Sequence, residues 1–270
     1  LGGHRELGGR TPLSEQPEDE ATAGCVDPKA LRQLLAAGTD GGPAAIEKEC
    51  SRIMAQRQLR RTLGAVVTAG GSACYHALDV RDGVAVAALA DDIYRRRGAL
   101  FGIVHGAGVV EDRLAVDKSA ESFSRVYDTK VEGARALLSA VRPGVRFVVL
   151  FGSVAGAFGN RGQVDYAAAN EALEALAWAH NGGPAGRVVC MHWGPWGGDG
   201  MVSPSLAREF ARRGVGLIDP DEGSACVLQE LALGSPSAAA VIVMRARPHQ
   251  IAPGRVAHQA ASDLVGAPSR

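Results

Sequence analysis

The chain has 270 residues, a mass of 27.9 kDa and 46% hydrophobic residues, enough for one large domain with a sizeable core or for two small ones. Lys plus Arg (29) equals Asp plus Glu (29), which removes the global charge that would recommend nucleic acid or an anionic membrane and leaves a small molecule or a local patch as partner. No apolar run reaches the roughly 20 residues a membrane span needs, and the start LGGHRELGGR lacks the apolar centre of a signal peptide.

Residues 1–26 are polar, with Gly and acidic residues and no periodicity, so they are expected to be irregular, Gly2, Gly3, Gly8 and Gly9 lying in flexible loop. Asp27-Pro28 reads as a helix start, a capping side chain followed by a proline whose missing N–H costs nothing in the first turn, with the end at Gly38. Pro43 opens a longer helical pattern through Ile46, Cys50, Ile53, Leu59, Leu63 and Val66, stopped by Gly70-Gly71. Strands and helices then alternate: a strand from Ser72 to Leu78, a helix capped by Asp82 and running to Arg97, a strand from Phe101 to Val104, and a helix capped by Ser119. The apolar run Arg146–Phe151 leads into Gly152–Asn170, a helix is expected from Val164 to His180, and a strand from Arg187 to His192 precedes the turn Trp193-Gly194-Pro195-Trp196. Ser203-Pro204 starts a short helix, Asp219-Pro220 with Glu222 reads as a capping box for another that closes at Gly234, and Ala239–Met244 is a last strand.

The strands are short, continuous apolar runs separated by helical patterns, the mark of a parallel sheet covered on both faces. The expected fold is α/β, a Rossmann-like doubly wound domain over 27–247, followed by a linker or disordered tail over 248–270. Cys25, Cys50, Cys74, Cys190 and Cys226 are scattered without the paired spacing of a zinc site or a disulfide framework, so no metal site is expected and the thiols read as the reduced ones of a cytoplasmic protein. The first residue is not Met, which reads as a fragment or an excised domain.

Ser153 sits where a strand should end, the place where open α/β sheets bind ligands. Tyr166 and Asn170 are one helical turn apart and share a face. A tyrosine whose ordinary pKa is near ~10 needs a cation beside it to move a proton at neutral pH, and Lys130 lies on the apolar stripe of its helix with Phe123, Val126 and Ala134. Each residue also has a plainer reading: Lys130 can snorkel to water, Ser153 can cap a turn, and Tyr166 can be a core tyrosine. Asn170 is harder to assign to packing, because asparagine is a mediocre helix former and its amide would be buried.

Lys130 in DTKVEGA, with Ser153, Tyr166 and Asn170 in SVAGAFGNRGQVDYAAAN, resembles the catalytic tetrad of short-chain dehydrogenase/reductases, in the Tyr-x-x-x-Asn form of the ketoreductase domains of type I polyketide synthases and polyunsaturated fatty acid synthases. The resemblance extends through HGAGVVEDRL, WGPWGGDGMVSP and RRGVGLIDPDEG. It implies reduction of a β-ketoacyl thioester, held on an acyl carrier protein or carrier domain beside neighbouring synthase domains, with NADPH as cofactor. Tyr166 would donate the proton, Ser153 would bind the carbonyl oxygen, Lys130 would stabilise the phenolate and touch the nicotinamide ribose, and Asn170 would hold the relay. It also implies cofactor contacts from Asp79 and Val80 beside the adenine, from the turn His105, Gly106, Ala107 and Gly108, and from Gly194 and Pro195 at the nicotinamide. Arg10 matches an arginine that pairs the 2′-phosphate. Asp112, in Val110-Glu111-Asp112, points to one of the two stereochemical classes of the family. Arg208, Arg212 and Arg213 could receive an acidic carrier or form a solvated helix face.

The family opens with a strand and a Gly-rich turn that holds the pyrophosphate, and no such unit stands in this sequence. The missing strand would lie between the strand at Phe101–Val104 and the segment before Arg10. Two other readings therefore stand beside the synthase ketoreductase: a free-standing short-chain reductase of a small ketone or coenzyme A thioester, and an inactive structural remnant that binds no cofactor.

Overall fold

A computed structural model of the chain describes residues 3–38, 42–198, 202, 204–212 and 214–246. The chain divides at Asp79/Val80 into two compact units. The expected tail over 248–270 lies outside the described residues.

The first unit holds β1 (His4–Gly9), α1 (Glu20–Ala23), α2 (Pro28–Gly38), α3 (Pro43–Thr68) and β2 (Ser72–Ala77). Residues 1–26 are thus not irregular throughout, and Gly8 and Gly9 are strand residues. β1 pairs in parallel with β2, His4 opposite Ser72 through Gly9 opposite Ala77. The strand escapes a search for apolar runs because HRELGG contains a single large apolar side chain, Leu7. The stretch after it is tied to α3 by polar contacts. The Gln56 amide donates to the Pro12 carbonyl (2.5 Å) and accepts from the Ser14 N–H (2.9 Å), while Arg57 binds Glu18 (2.6 Å) and the carbonyls of Thr22 and Cys25 (2.7 Å each). A small core of Leu31, Cys50 and Ile53 joins α2 to α3.

The second unit contains α4 (Gly83–Arg97), β3 (Gly102–His105), a 3-10 turn at Ala115–Asp117, α5 (Ala120–Ser139), β4 (Phe147–Ser153), α6 (Val154–Phe158), α7 (Val164–His180) and β5 (Arg187–Trp193). It continues with α8 (Pro204–Arg212), β6 (Val215–Gly216), α9 (Pro220–Leu233), β7 (Ala240–Val243) and β8 (Arg245–Ala246). Strands β3-β4-β5-β7 form one parallel sheet in that order. Side chains alternate across it. Val148, Leu150, Val188 and Cys190 pack with Ala134 and Leu138 of α5 and Leu173 and Ala177 of α7, whereas Val149, Val189, Met191 and Trp193 face Cys226, Val227 and Leu231 of α9. Helices on both faces explain why β4 and β5 read as unbroken apolar runs.

Asp82, Ser119 and Asp219 cap α4, α5 and α9 as their positions suggest. Glu222 does not complete a capping box; its carboxylate accepts from the Arg245 guanidinium at 2.5 and 2.6 Å. Among the described strands β1 pairs only with β2, and β3 only with β4. Among the described residues no strand runs through a Gly-rich turn directly into a helix. No described helix is long and apolar enough to cross a membrane.

Candidate active site

The parallel register of the second unit aligns the C-terminal ends of three strands. His105 lies opposite Leu150, and Ser153 opposite Trp193, so the turn at Gly106 and the turn at Gly194 both flank the end of β4. This is the edge at which open α/β sheets place their ligands.

Four side chains converge there. Lys130 is only 4% exposed and does not snorkel: its ammonium donates to the Phe151 carbonyl at 2.7 Å and stands 5.4 Å from the centroid of the Tyr166 ring. Burial pushes its pKa down to about 8. Ser153 ends β4 and caps α6, accepting from the Ala155 N–H at 3.2 Å. Tyr166 is half-buried on the first turns of α7. Burial raises the pKa of its phenol, the neighbouring Ser153 and Asn170 side chains pull it back, and the Asp112 carboxylate adds to the rise. Asn170 is fully buried; its amide N–H donates to the Tyr166 carbonyl at 2.6 Å, while its Oδ1 has no partner among the described residues. Two glycines make this convergence possible. A Cβ on Gly156 would stand 2.9 Å from the Asn170 Cβ, and one on Gly108 would stand 3.1 Å from the Lys130 Cε.

A buried polar frame, which the sequence did not announce, supports the four. The Lys118 ammonium donates to Asp165 at 2.7 Å and to the Glu111 carbonyl, and Asp165 in turn accepts from the Tyr166 N–H at 2.9 Å, anchoring the start of α7. Both side chains of that ion pair are almost fully buried. His192 donates from Nδ1 to the Ser153 carbonyl (2.9 Å) and from Nε2 to Glu174 (2.8 Å). Burial opposes its charge, but Cys190, Glu174 and the Ser153 carbonyl outweigh burial and push its pKa up to about 10. His105 donates to the Lys130 carbonyl at 2.9 Å, and burial lowers its pKa to about 4. The one local signal was Asp165 itself, an acid in a first helical turn directly before Tyr166.

The residues expected at the cofactor divide between the units. Val80, His105, Gly106, Ala107, Gly108, Gly194 and Pro195 belong to the second. Val80 and His105 both pack on Gly133 of α5, and the Pro195 carbonyl accepts from Ile218 at 2.8 Å. Arg10, exposed just beyond β1, and Asp79, half-buried just beyond β2, belong to the first unit. Asp112 accepts from the Gln163 amide at 3.0 and 3.2 Å. Of the arginines on and after α8, Arg208 and Arg212 are exposed, Arg212 pairing with Glu209, and Arg213 lies outside the described residues.

Residues 31–198 match the KR domain family. The chain is 38% identical over 250 residues to a polyunsaturated fatty acid synthase of Thraustochytrium sp., covering 88% of this chain and 9% of that protein. It is 37% identical over 183 residues to the polyketide synthase ThaG of Burkholderia thailandensis, covering 64% of this chain and 3% of that protein. Among solved structures it resembles the ketoreductase from the first module of phoslactomycin biosynthesis in Streptomyces sp. HK803, with a TM-score of 0.64 and 26% identity over 95% of this chain and 56% of that one. The chain thus spans less than a tenth of the length of these curated relatives. With its parallel α/β fold, and with the family match covering well over half of its length, the chain belongs to the ketoreductase (KR) domain family of polyketide and polyunsaturated fatty acid synthases.

Proposed function

We propose that this chain reduces a β-ketoacyl thioester, delivered on an acyl carrier protein or carrier domain, to the β-hydroxyacyl thioester with NADPH. KR domains are typically NAD(P)H-dependent oxidoreductases acting on a β-keto group. The observation that carries the finer reading is the convergence of Lys130, Ser153, Tyr166 and Asn170 at the C-terminal edge of the sheet, with the lysine buried against the tyrosine ring.

The residues at this edge fit the nicotinamide side of such a cofactor. Gly106 has open space where a side chain would stand, and Lys130 lies against the backbone of Gly108. Asn170 Oδ1 is a buried acceptor free to take a proton donor. Lys130 and the backbone of Gly106 to Gly108 would hold the nicotinamide ribose, with Gly194 and Pro195 lining the ring. When bound, NADPH supplies the hydride.

The protein supplies the proton and the electrostatics. The raised phenol pKa keeps Tyr166 in the protonated form that an acid requires, and the Lys130 ammonium lowers the cost of the phenolate left behind. Ser153 donates to the substrate oxygen while its backbone carbonyl is fixed by His192. Because Lys130 loses its proton near pH 8, that help is present below pH 8 and fades above it, and turnover should fall along the same limb.

Tyr166→Phe is expected to lower turnover of a β-ketoacyl thioester by at least about 100-fold with unchanged NADPH affinity by fluorescence titration. Unchanged turnover would remove Tyr166 as the acid. The rival reading is a remnant that binds no cofactor. Absence of saturable NADPH binding to the 270-residue chain would decide for it.

A further inference from the structure

We propose that His4, Glu6 and Cys74 form a binding site for a divalent transition metal of the zinc type. The site lies wholly within the first unit and uses none of the residues of the reductase reading. Side chains two apart on a strand share a face, so His4 and Glu6 stand together on β1, and Ser72, Cys74 and His76 stand together on β2. The parallel register sets His4 opposite Ser72 and Glu6 opposite Cys74. The ligand atoms of His4, Glu6 and Cys74 all lie within 4.8 Å of one another. A tetrahedral zinc with bonds of about 2.0–2.3 Å holds its ligand atoms roughly 3.3–3.8 Å apart, so side-chain rotation alone closes the site.

The surrounding contacts are those that a metal-ligating histidine and carboxylate need. His4 directs Nε2 at Glu6 Oε1 (2.9 Å), and its other nitrogen, Nδ1, is held by the Ser72 hydroxyl at 2.7 Å. The second oxygen of Glu6 accepts from His76 Nε2 at 2.6 Å. Outer partners of this kind fix the tautomer of a ligating imidazole and orient a ligating carboxylate. On metal entry the Cys74 thiol gives up its proton, while His4 binds as the neutral imidazole through Nε2 and carries its proton on Nδ1 toward the Ser72 hydroxyl, so the ligands are imidazole, carboxylate and thiolate. One nitrogen, one oxygen and one sulfur select zinc over calcium or magnesium, whose ligands are all oxygen. The fourth position falls to water. The side chains of His4 and Glu6 are 20% and 9% exposed, which leaves a path for entry.

A hydrogen-bonded chain from His4 through Glu6 to His76 would account for the half-burial of Glu6 with no metal. Such a chain has no use for the Cys74 thiol at its centre. Cysteine spacing along the sequence could not reveal the cluster, because Glu6 and Cys74 are neighbours only through strand register.

The full chain, stripped of metal, would be titrated with Zn²⁺ by calorimetry and with Co²⁺ by absorption. One equivalent of Zn²⁺ should bind, and Co²⁺ should show a thiolate-to-metal charge-transfer band. Cys74→Ser should abolish that band, Ser72→Ala should weaken Zn²⁺ binding about 10-fold or more, and Cys226→Ser should change neither. No stoichiometric Zn²⁺ binding to the unmodified chain, no charge-transfer band, or a band that survives Cys74→Ser would overturn the proposal. Should Cys74→Ser fail to fold, the spectrum of the unmodified chain and the Ser72→Ala affinity still decide. All readouts are of metal, so they are independent of whether the chain reduces a ketone.

Discussion

The four-stranded sheet and the β1-β2 sheet of this protein hold their polar side chains in different ways. In the four-stranded sheet β4 and β5 are covered on both faces, and the side chains beside them are sealed: Lys130, Asp165, Asn170 and His192 are all less than 5% exposed, and all four are in ion pairs or hydrogen bonds to backbone. In the two-stranded sheet every residue of β1 and β2 is half-buried or exposed, and Gln56 is the one buried polar side chain among the described residues of its unit. A two-stranded sheet needs a helix against it to persist at all. Where the backbone is fully paired and dry, a buried charge keeps one position, which suits a proton-transfer site. Where the sheet is narrow and wet, ligand side chains can rotate, which suits a metal that enters from solution.

The sharpest way to break this contrast is to remove one partner of an ion pair in each unit. Asp165→Ala strands the Lys118 ammonium at 3% exposure and should cost about 3–5 kcal/mol. Trp178, Trp193 and Trp196 all belong to the second unit, so urea unfolding followed by Trp fluorescence reads the loss there. Glu18→Ala leaves Arg57 partly in water, still bonded to the Thr22 and Cys25 carbonyls, and should cost about 1 kcal/mol, read by hydrogen exchange of α3. Equal costs would mean that the first unit is as dry as the second.

The two buried histidines of the second unit predict a dome of stability against pH. His105 has its folded pKa held down at about 4, below the unfolded value near ~6.5, so its contribution is present above that value and is lost as pH falls toward 4. His192 has its folded pKa raised to about 10, so its contribution is full below ~6.5 and is lost as pH climbs toward 10. The acid limb is worth on the order of 3 kcal/mol and the alkaline limb on the order of 5 kcal/mol. Urea midpoints from pH 5 to 9 should peak near neutrality, His105→Gln flattening the acid limb and His192→Gln the alkaline one. A profile that keeps both limbs in both variants would place the titrating groups elsewhere.

What the sequence revealed, and what it hid, follows the same division. Helix α7 was legible from Val164 to His180, and the caps at Asp82, Ser119 and Asp219 were legible, because helix starts are written in adjacent residues. Burial of Lys130 was legible from its place on an apolar stripe. β3 was placed one residue early, since Phe101 is apolar but 65% exposed and outside the ladder. β1 was missed because its pairing rests on backbone, with little apolar content to mark it. The pairs Lys118–Asp165 and Glu174–His192 lie 47 and 18 positions apart, and only the fold brings them together. A search by spacing finds what neighbours in sequence can build and nothing that register or crossover must assemble.

The smallest test sets two capping aspartates against each other. Asp82 accepts from the Val84 and Ala85 N–H groups at 3.0 Å each and starts α4, whose Val86, Ala90, Ile93 and Tyr94 are buried. Asp82→Ala should therefore cost about 1 kcal/mol of the stability of the whole second unit. Asp19 accepts from the Ala21 N–H at 2.9 Å and starts α1, four residues long with none buried. The same substitution there removes the same kind of hydrogen bond, but a helix that buries nothing can fray without disturbing a core, so the loss should stay local. Hydrogen exchange should show faster exchange confined to residues 20–24 for Asp19→Ala and a uniform shift across 83–97 and the strands of its unit for Asp82→Ala. Global destabilisation by Asp19→Ala would show that the polar contacts of Gln56 and Arg57 couple this segment to the first unit as tightly as apolar packing couples α4 to the second.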